Sequence, residues 1–179
     1  MPGPSEPTPA PTTAPATAPV PVRRATARDA PALVRLRVLM LQDMGVDTGG
    51  PEAPWRADAE RFFHRRLAEP ALFAAFVADD PELGVVSCAV GACDEHAPSP
   101  RNTSGLHGHV SNVATDPRRR RRGLARACTT ALLGWFTDHT PVTVVKLNTT
   151  ARAEALYRSM GFEVPRDAAL QLRLPPRPA

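Results

Sequence analysis

The apolar positions change period twice along the chain, and each change marks a kind of element. Leu33, Leu36, Met40 and Met44 recur at helical spacing, which predicts a helix ending near Met44. Thr26 or Asp29 offers its cap, Pro31 falls in its first turn, and a short strand over 22–25 precedes it. Glycines and prolines make 45–54 a loop, and a second helix over 57–68 presents Phe63 and Leu67, flanked by Phe62 and Arg66. The period then shortens. Apolar runs at 73–78 and 85–92, separated by a turn at 79–84, read as a hairpin. Polar, turn-rich residues make 94–107 a long surface loop, and 108–115 is a third strand. A helix over 124–136 buries Leu124, Cys128, Ala131, Leu132, Trp135 and Phe136. A strand at 142–147, a helix at 151–160 and a last strand carried by Leu170, Leu172 and Leu174 complete a mixed α and β order.

The ends have a different composition. Of 21 prolines, eight lie in the first 22 positions, among alanine and threonine. Such a segment buries too little apolar surface to offset its ordering entropy. The expected organisation is a disordered tail over 1–21, one domain over 22–175 and a flexible end at 176–179. A length of 179 residues is ample for one hydrophobic core.

Three compartment signals are lacking. No stretch approaches the roughly 20 apolar residues of a membrane span, and the amino terminus has neither part of a secretory signal. Cys88, Cys93 and Cys128 form no CxxC pair, which argues against both a disulfide framework and a zinc site. A cytoplasmic location is expected, with no membrane partner and no metal. Lys146 is the only lysine among 22 basic residues, a bias resembling that of GC-rich bacterial genomes.

Charge narrows the picture further. The chain carries +4, yet five arginines are consecutive, Arg118 to Arg122; without them 17 basic residues face 18 acidic ones. The molecule is nearly neutral with one cationic spot, unlike proteins that bind nucleic acid over a whole basic surface. The spot follows a strand end and an Asp116–Pro117 turn and leads through Gly123 into a helix. A helix start presents unpaired N–H groups and a partial positive charge to an anion. Arginine adds charge-assisted donors of the kind phosphates accept, and Gly123 allows close backbone approach. The description fits a pyrophosphate site. Neither GxxxxGK[ST] nor GxGxxG is present, so a Walker loop and a dinucleotide fingerprint are excluded.

The segment Arg120-Arg-Arg-Gly123-Leu-Ala125 resembles the Arg/Gln-x-x-Gly-x-Gly/Ala acetyl-CoA motif of the GNAT superfamily of N-acetyltransferases. Leu156-Tyr157-Arg-Ser-Met-Gly161-Phe162 is similar to the family's Leu-Tyr-x-x-x-Gly-Phe segment, and 24–29 to its opening before the first helix. The resemblance spans 22–174. It implies a mixed α+β fold: a central twisted, mostly antiparallel sheet whose central strands, here 108–115 and 142–147, splay to admit pantetheine, flanked by about four helices. It implies acetyl-CoA as co-substrate, held by Val113, Ala114, Thr115, Arg120, Arg121, Arg122, Gly123, Leu124, Ala125 and Arg126. Thr150 departs from the asparagine that members often carry, and Asn148 is the substitute at the strand end.

The implied chemistry is direct acetyl transfer to a primary amine of a small molecule or peptide. Backbone N–H groups at Val113 and Thr115 would polarise the thioester carbonyl. Tyr157 stands where the family places the acid that protonates the departing thiolate, and a phenol with an ordinary pKa near 10 holds its proton at neutral pH. His109 lies on the strand where several members carry a proton acceptor, and a histidine suits that task. Strand alternation puts His107, His109 and Ser111 on one face, opposite Val110 and Asn112. Asp94, Glu95 and His96 are adjacent loop residues, which are usually solvated rather than metal ligands. Asp47, Glu52, Asp94 and Glu95 could draw in a cationic amine. Two other readings stay open: a non-catalytic acyl-CoA-binding regulator of the same fold, and nucleic-acid binding through Arg118–Arg122. A homodimer is common in the family.

Overall fold

A computed structural model describes residues 20–175. Positions 1–19 and 176–179 lie outside the described residues, and with them most of the expected disordered tail and the expected flexible end. Strand β1 (Val22–Arg24) leads through a 3-10 turn into helix α1 (Ala30–Asp43), followed by α2 (Pro54–Arg66). Strands β2 (Phe73–Asp80), β3 (Gly84–Glu95) and β4 (Leu106–Thr115) come next, then a 3-10 turn at Pro117–Arg119 and helix α3 (Leu124–His139). Strand β5 (Val145–Leu147) and helix α4 (Ala151–Arg158) complete the order.

The five strands lie in sequence order in one sheet, with β1 to β4 antiparallel and β4–β5 parallel. Both faces of the sheet are covered, which explains why β2 and β3 read as near-continuous apolar runs. Leu33, Leu36, Phe63, Val77, Cys88 and Val90 form the core under α1 and α2. Ala74, Val86, Cys128, Leu132, Trp135 and Phe136 form the core under α3. Gly91 and Gly108 make room for Phe136: an added Cβ would lie 2.9 Å from its ring at either position.

The entry to α1 is fixed by charge. Asp29 Oδ2 accepts from the Thr26 N–H at 2.7 Å, and the Arg23 guanidinium grips both Asp29 oxygens at 2.8 and 2.9 Å. The Arg23 side chain holds the Asp29 carboxyl below its usual range.

Three expectations are corrected. Residues 163–175 form no strand, and Leu170, Leu172 and Leu174 are 95%, 82% and 79% exposed. Alternation specifies a half-buried strand only where a neighbour supplies the ladder, and none lies beside these leucines. The loop at 94–107 is shorter, because Asp94 pairs with His107 and Glu95 with Leu106. Finally, β5 is confined to Val145–Leu147, for only these residues find partners on β4.

Candidate active site

The site begins where β4 and β5 part. Their pairing runs Gly108–Val145, His109–Lys146 and Val110–Leu147, and then stops. Beyond it opens a cavity of about 910 Å³, lined by β4 from Val110 to Thr115, the start of α3, the end of α1, and 147–159 around α4.

A β-bulge decides what β4 offers to this gap. Cys88 pairs with Ala114 but Val90 with Ser111, so Asn112 and Val113 together oppose Ala89. Asn112 sits at φ 47°, the left-handed region that asparagine tolerates better than most residues. The extra residue reverses the strand's alternation. Val110 packs under α3, whereas Ala114 belongs to the core under α1 and α2. The backbone reverses too: the Gly108 N–H donates to Val144 O toward β5, while the Asp116 N–H donates to Val86 O toward β3. By two-residue alternation back from Asp116, the N–H groups of Val113 and Thr115 are directed into the gap. The expected pairing of Val110 and Asn112 on one face is therefore corrected: the bulge puts Asn112 on the face of His109.

The arginine run divides into two parts. Arg118 is folded back on Asp116, with Nε at 3.0 Å from Oδ1 and Nη2 at 2.8 Å from Oδ2. That contact holds the Asp116 carboxyl well below the usual carboxylate range. Arg119 joins Asp80 at 2.5 Å and Glu82 at 2.8 Å, and lowers the Asp80 pKa to about 2. These two arginines anchor the loop to the sheet. Arg120 lies across the cavity, its Nε donating to Thr115 O at 3.2 Å and its Nη2 meeting Asp43 at the end of α1. Arg121 and Arg122 are exposed and make no side-chain hydrogen bond or ion pair among the described residues.

Helix α3 starts at Gly123, at φ 75°, with no side-chain cap on its first turn. Its leading N–H groups, at Leu124, Ala125 and Arg126, are thus free to bind an anion. An added Cβ at Gly123 would meet nothing within 4 Å. Glycine serves the left-handed φ there, and Arg121 before it is also left-handed at φ 64°.

Tyr157, the only buried residue of α4, lines the cavity at 8% exposure, its ring edge-on to Phe162 at 5.9 Å. Burial pushes the phenol pKa up. The Arg126 side chain meets Ser159, tying α3 to α4.

Eleven expected residues line the cavity: Val113, Ala114, Thr115, Arg120, Arg121, Gly123, Leu124, Ala125, Arg126, Asn148 and Tyr157. Arg122 and His109 are not among the lining residues. His109 is half-buried on the α1–α2 face, since its neighbours Gly108 and Val110 face α3. The sequence reading missed the share of α1, whose Leu39, Met40, Asp43 and Met44 form one wall. Met40 and Met44 were the available signal, since methionine's flexible side chain suits a binding wall, but their spacing shows only a helix. Asp94, Glu95 and His96 are exposed, and no group of three metal-ligating side chains occurs among the described residues.

The sequence profile of the acetyltransferase (GNAT) family matches residues 39–162, from the α1 wall to the phenylalanine beyond Tyr157. The chain belongs to that family. This GNAT chain shares its fold with a predicted acetyltransferase from Clostridium acetobutylicum, solved with acetyl-CoA. The two are 23% identical at a TM-score of 0.74, over 86% of this chain and 95% of that one. A GCN5-related N-acetyltransferase from Ralstonia eutropha is 20% identical at 0.68, over 85% and 97%. Glucosamine-6-phosphate N-acetyltransferase from Arabidopsis thaliana is 15% identical at 0.65, over 86% and 96%. No curated protein matches the chain by sequence. No described helix is long and apolar enough to cross a membrane.

Proposed function

We propose that the chain is an N-acetyltransferase that moves an acetyl group from acetyl-CoA to a primary amine of a small molecule or peptide, by direct transfer in a ternary complex. The observation that carries this reading is the meeting of a protonated, buried phenol with inward-directed β4 amides and an uncapped helix start in one cavity. Acetyl-CoA supplies an acyl group already activated as a thioester, so transfer requires a C–N bond to form and a C–S bond to break.

The chain's residues divide that work. Leu124, Ala125 and Arg126 offer backbone donors to the pyrophosphate, and Arg120, Arg121 and Arg122 offer charge. Asn148 offers an amide to the pantetheine arm. The N–H groups of Val113 and Thr115 stabilise negative charge on the carbonyl oxygen. Tyr157 gives its proton to the departing thiolate. The amine's proton goes to solvent, because His109, the expected acceptor, does not line the cavity.

The cysteines fit direct transfer. All three are buried, and burial pushes Cys88 to about 12 and Cys128 to about 11, so neither is a thiolate nucleophile near neutral pH. The test is thiol release from acetyl-CoA over a panel of amines. Saturable release with at least one amine is expected; tight acetyl-CoA binding without release on any amine would favour the non-catalytic regulator.

A further inference from the structure

The bulge that aims the Val113 and Thr115 amides is held by Asn112, at the cavity wall, and by Arg37 and Cys88, which do not line the cavity. Asn112 is 4% exposed, and its Oδ1 accepts from Arg37 Nη1 of α1 at 3.1 Å. From β3, the Cys88 thiol donates to the Asn112 carbonyl at 3.1 Å, and Asn112 Nδ2 lies 3.8 Å from Cys88 Sγ. Cys88 is fully buried. Arg37 is half-buried and forms no ion pair among the described residues; its one side-chain hydrogen bond there goes to Asn112. Among the described residues the Asn112 amide is thus the side-chain group that fixes where the Arg37 guanidinium sits.

We infer that Arg37 and Asn112 are positioning residues: they lock the β4 bulge, and so select which backbone amides face the reacting carbonyl. Without the bulge, two-residue alternation would turn the Val113 and Thr115 N–H groups toward β3 and the Ala114 N–H toward the gap. The left-handed φ of Asn112 is the geometric requirement, and its amide is the handle by which Arg37 secures that conformation. Cys88 fixes the carbonyl on the other side. The catalytic consequence rests on the acetyltransferase reading above, whereas the backbone consequence does not.

The test therefore has two readouts, applied to Arg37→Ala, Arg37→Lys, Asn112→Gly and Asn112→Val. The first is residue-resolved amide hydrogen exchange on the full chain without acetyl-CoA. In the wild type the Ala114 and Asp116 amides exchange slowly and those of Val113 and Thr115 quickly. Arg37→Ala weakens this contrast, Asn112→Val abolishes it, and Asn112→Gly, free to adopt a left-handed φ but without the amide that Arg37 holds, weakens it no more than Arg37→Ala does. The second readout is steady-state thiol release. Arg37→Ala lowers kcat roughly tenfold while acetyl-CoA affinity by calorimetry changes less than about twofold, and Arg37→Lys recovers part of kcat. An unchanged exchange pattern in Arg37→Ala with unchanged kcat overturns the inference. So does loss of the contrast in Asn112→Gly equal to that in Asn112→Val. Should Asn112→Val fail to fold, Arg37→Ala and Asn112→Gly decide the matter. A wild type with the expected exchange contrast but no transfer to any amine would refute the acetyltransferase reading and leave the lock standing.

Discussion

Replacing Tyr157 by phenylalanine removes one oxygen and little else. The ring keeps its edge-on contact with Phe162, and α4 keeps its only buried side chain. The variant should therefore fold as the wild type does, which makes its kinetics interpretable. General acid groups contribute about 100- to 10,000-fold, so kcat should fall at least about 100-fold. That corresponds to roughly 2.7 kcal/mol of barrier. The direction of the pKa shift adds a second signature. Burial raises the phenol above its ordinary value near 10, so the wild-type rate should show no loss from Tyr157 ionisation until the pH passes about 10. The same shift means that folding stability derived from the neutral phenol is complete below about pH 10 and declines above it. The assay is thiol release under saturating acetyl-CoA, with calorimetry to show that the variant still binds it. A kcat within twofold of wild type, with an unchanged pH profile, would refute the assignment of Tyr157 as proton donor.

Other expectations concern the loop and the core. Arg119→Ala should lower Tm because it leaves the buried Asp80 carboxylate without its cationic partner, whereas Arg121→Ala should leave Tm unchanged and weaken acetyl-CoA binding about tenfold, as for loss of one charge-assisted contact. The reverse result, read by calorimetry and thermal melts, would undo the division of the arginine run. Stability from Asp80 should be complete above about pH 4 and drain away as the pH falls toward about 2; acid titration of Asp80→Asn should lack that limb. Gly91→Ala should cost about 1–3 kcal/mol in denaturant melts, because its Cβ would stand 2.8 Å from Leu132 Cδ1 and 2.9 Å from Phe136 Cζ. A neutral result would mean that α3 lies further from the sheet.

The sheet-and-helix order was legible because both faces of the sheet are covered, so strands became apolar runs and helices kept a 3.6-residue stripe. Leu124, Cys128, Leu132, Trp135 and Phe136 all proved buried for that reason. The arginine loop was only partly legible. Its cationic character is local, but Arg119 serves Asp80, 39 residues earlier, and no local pattern reveals such a partner. The bulge was not legible at all. Asn112 among Ser111 and Val113 reads as an ordinary strand position, and its left-handed φ depends on Arg37, 75 residues away. Leu170, Leu172 and Leu174 carry the pattern of a strand without a neighbour to pair with.

The claim on which the rest depends is that the gap between β4 and β5 holds acetyl-CoA against the start of α3. Gly123→Ala probes it at one point, since φ 75° costs a non-glycine residue about 1–2 kcal/mol while an added methyl meets no protein atom. Titrating acetyl-CoA into the full chain and into this variant by calorimetry is the most direct measurement. The account predicts saturable binding by the wild type and binding by Gly123→Ala weakened by about tenfold. No binding by the wild type, or equal binding by both, would contradict it.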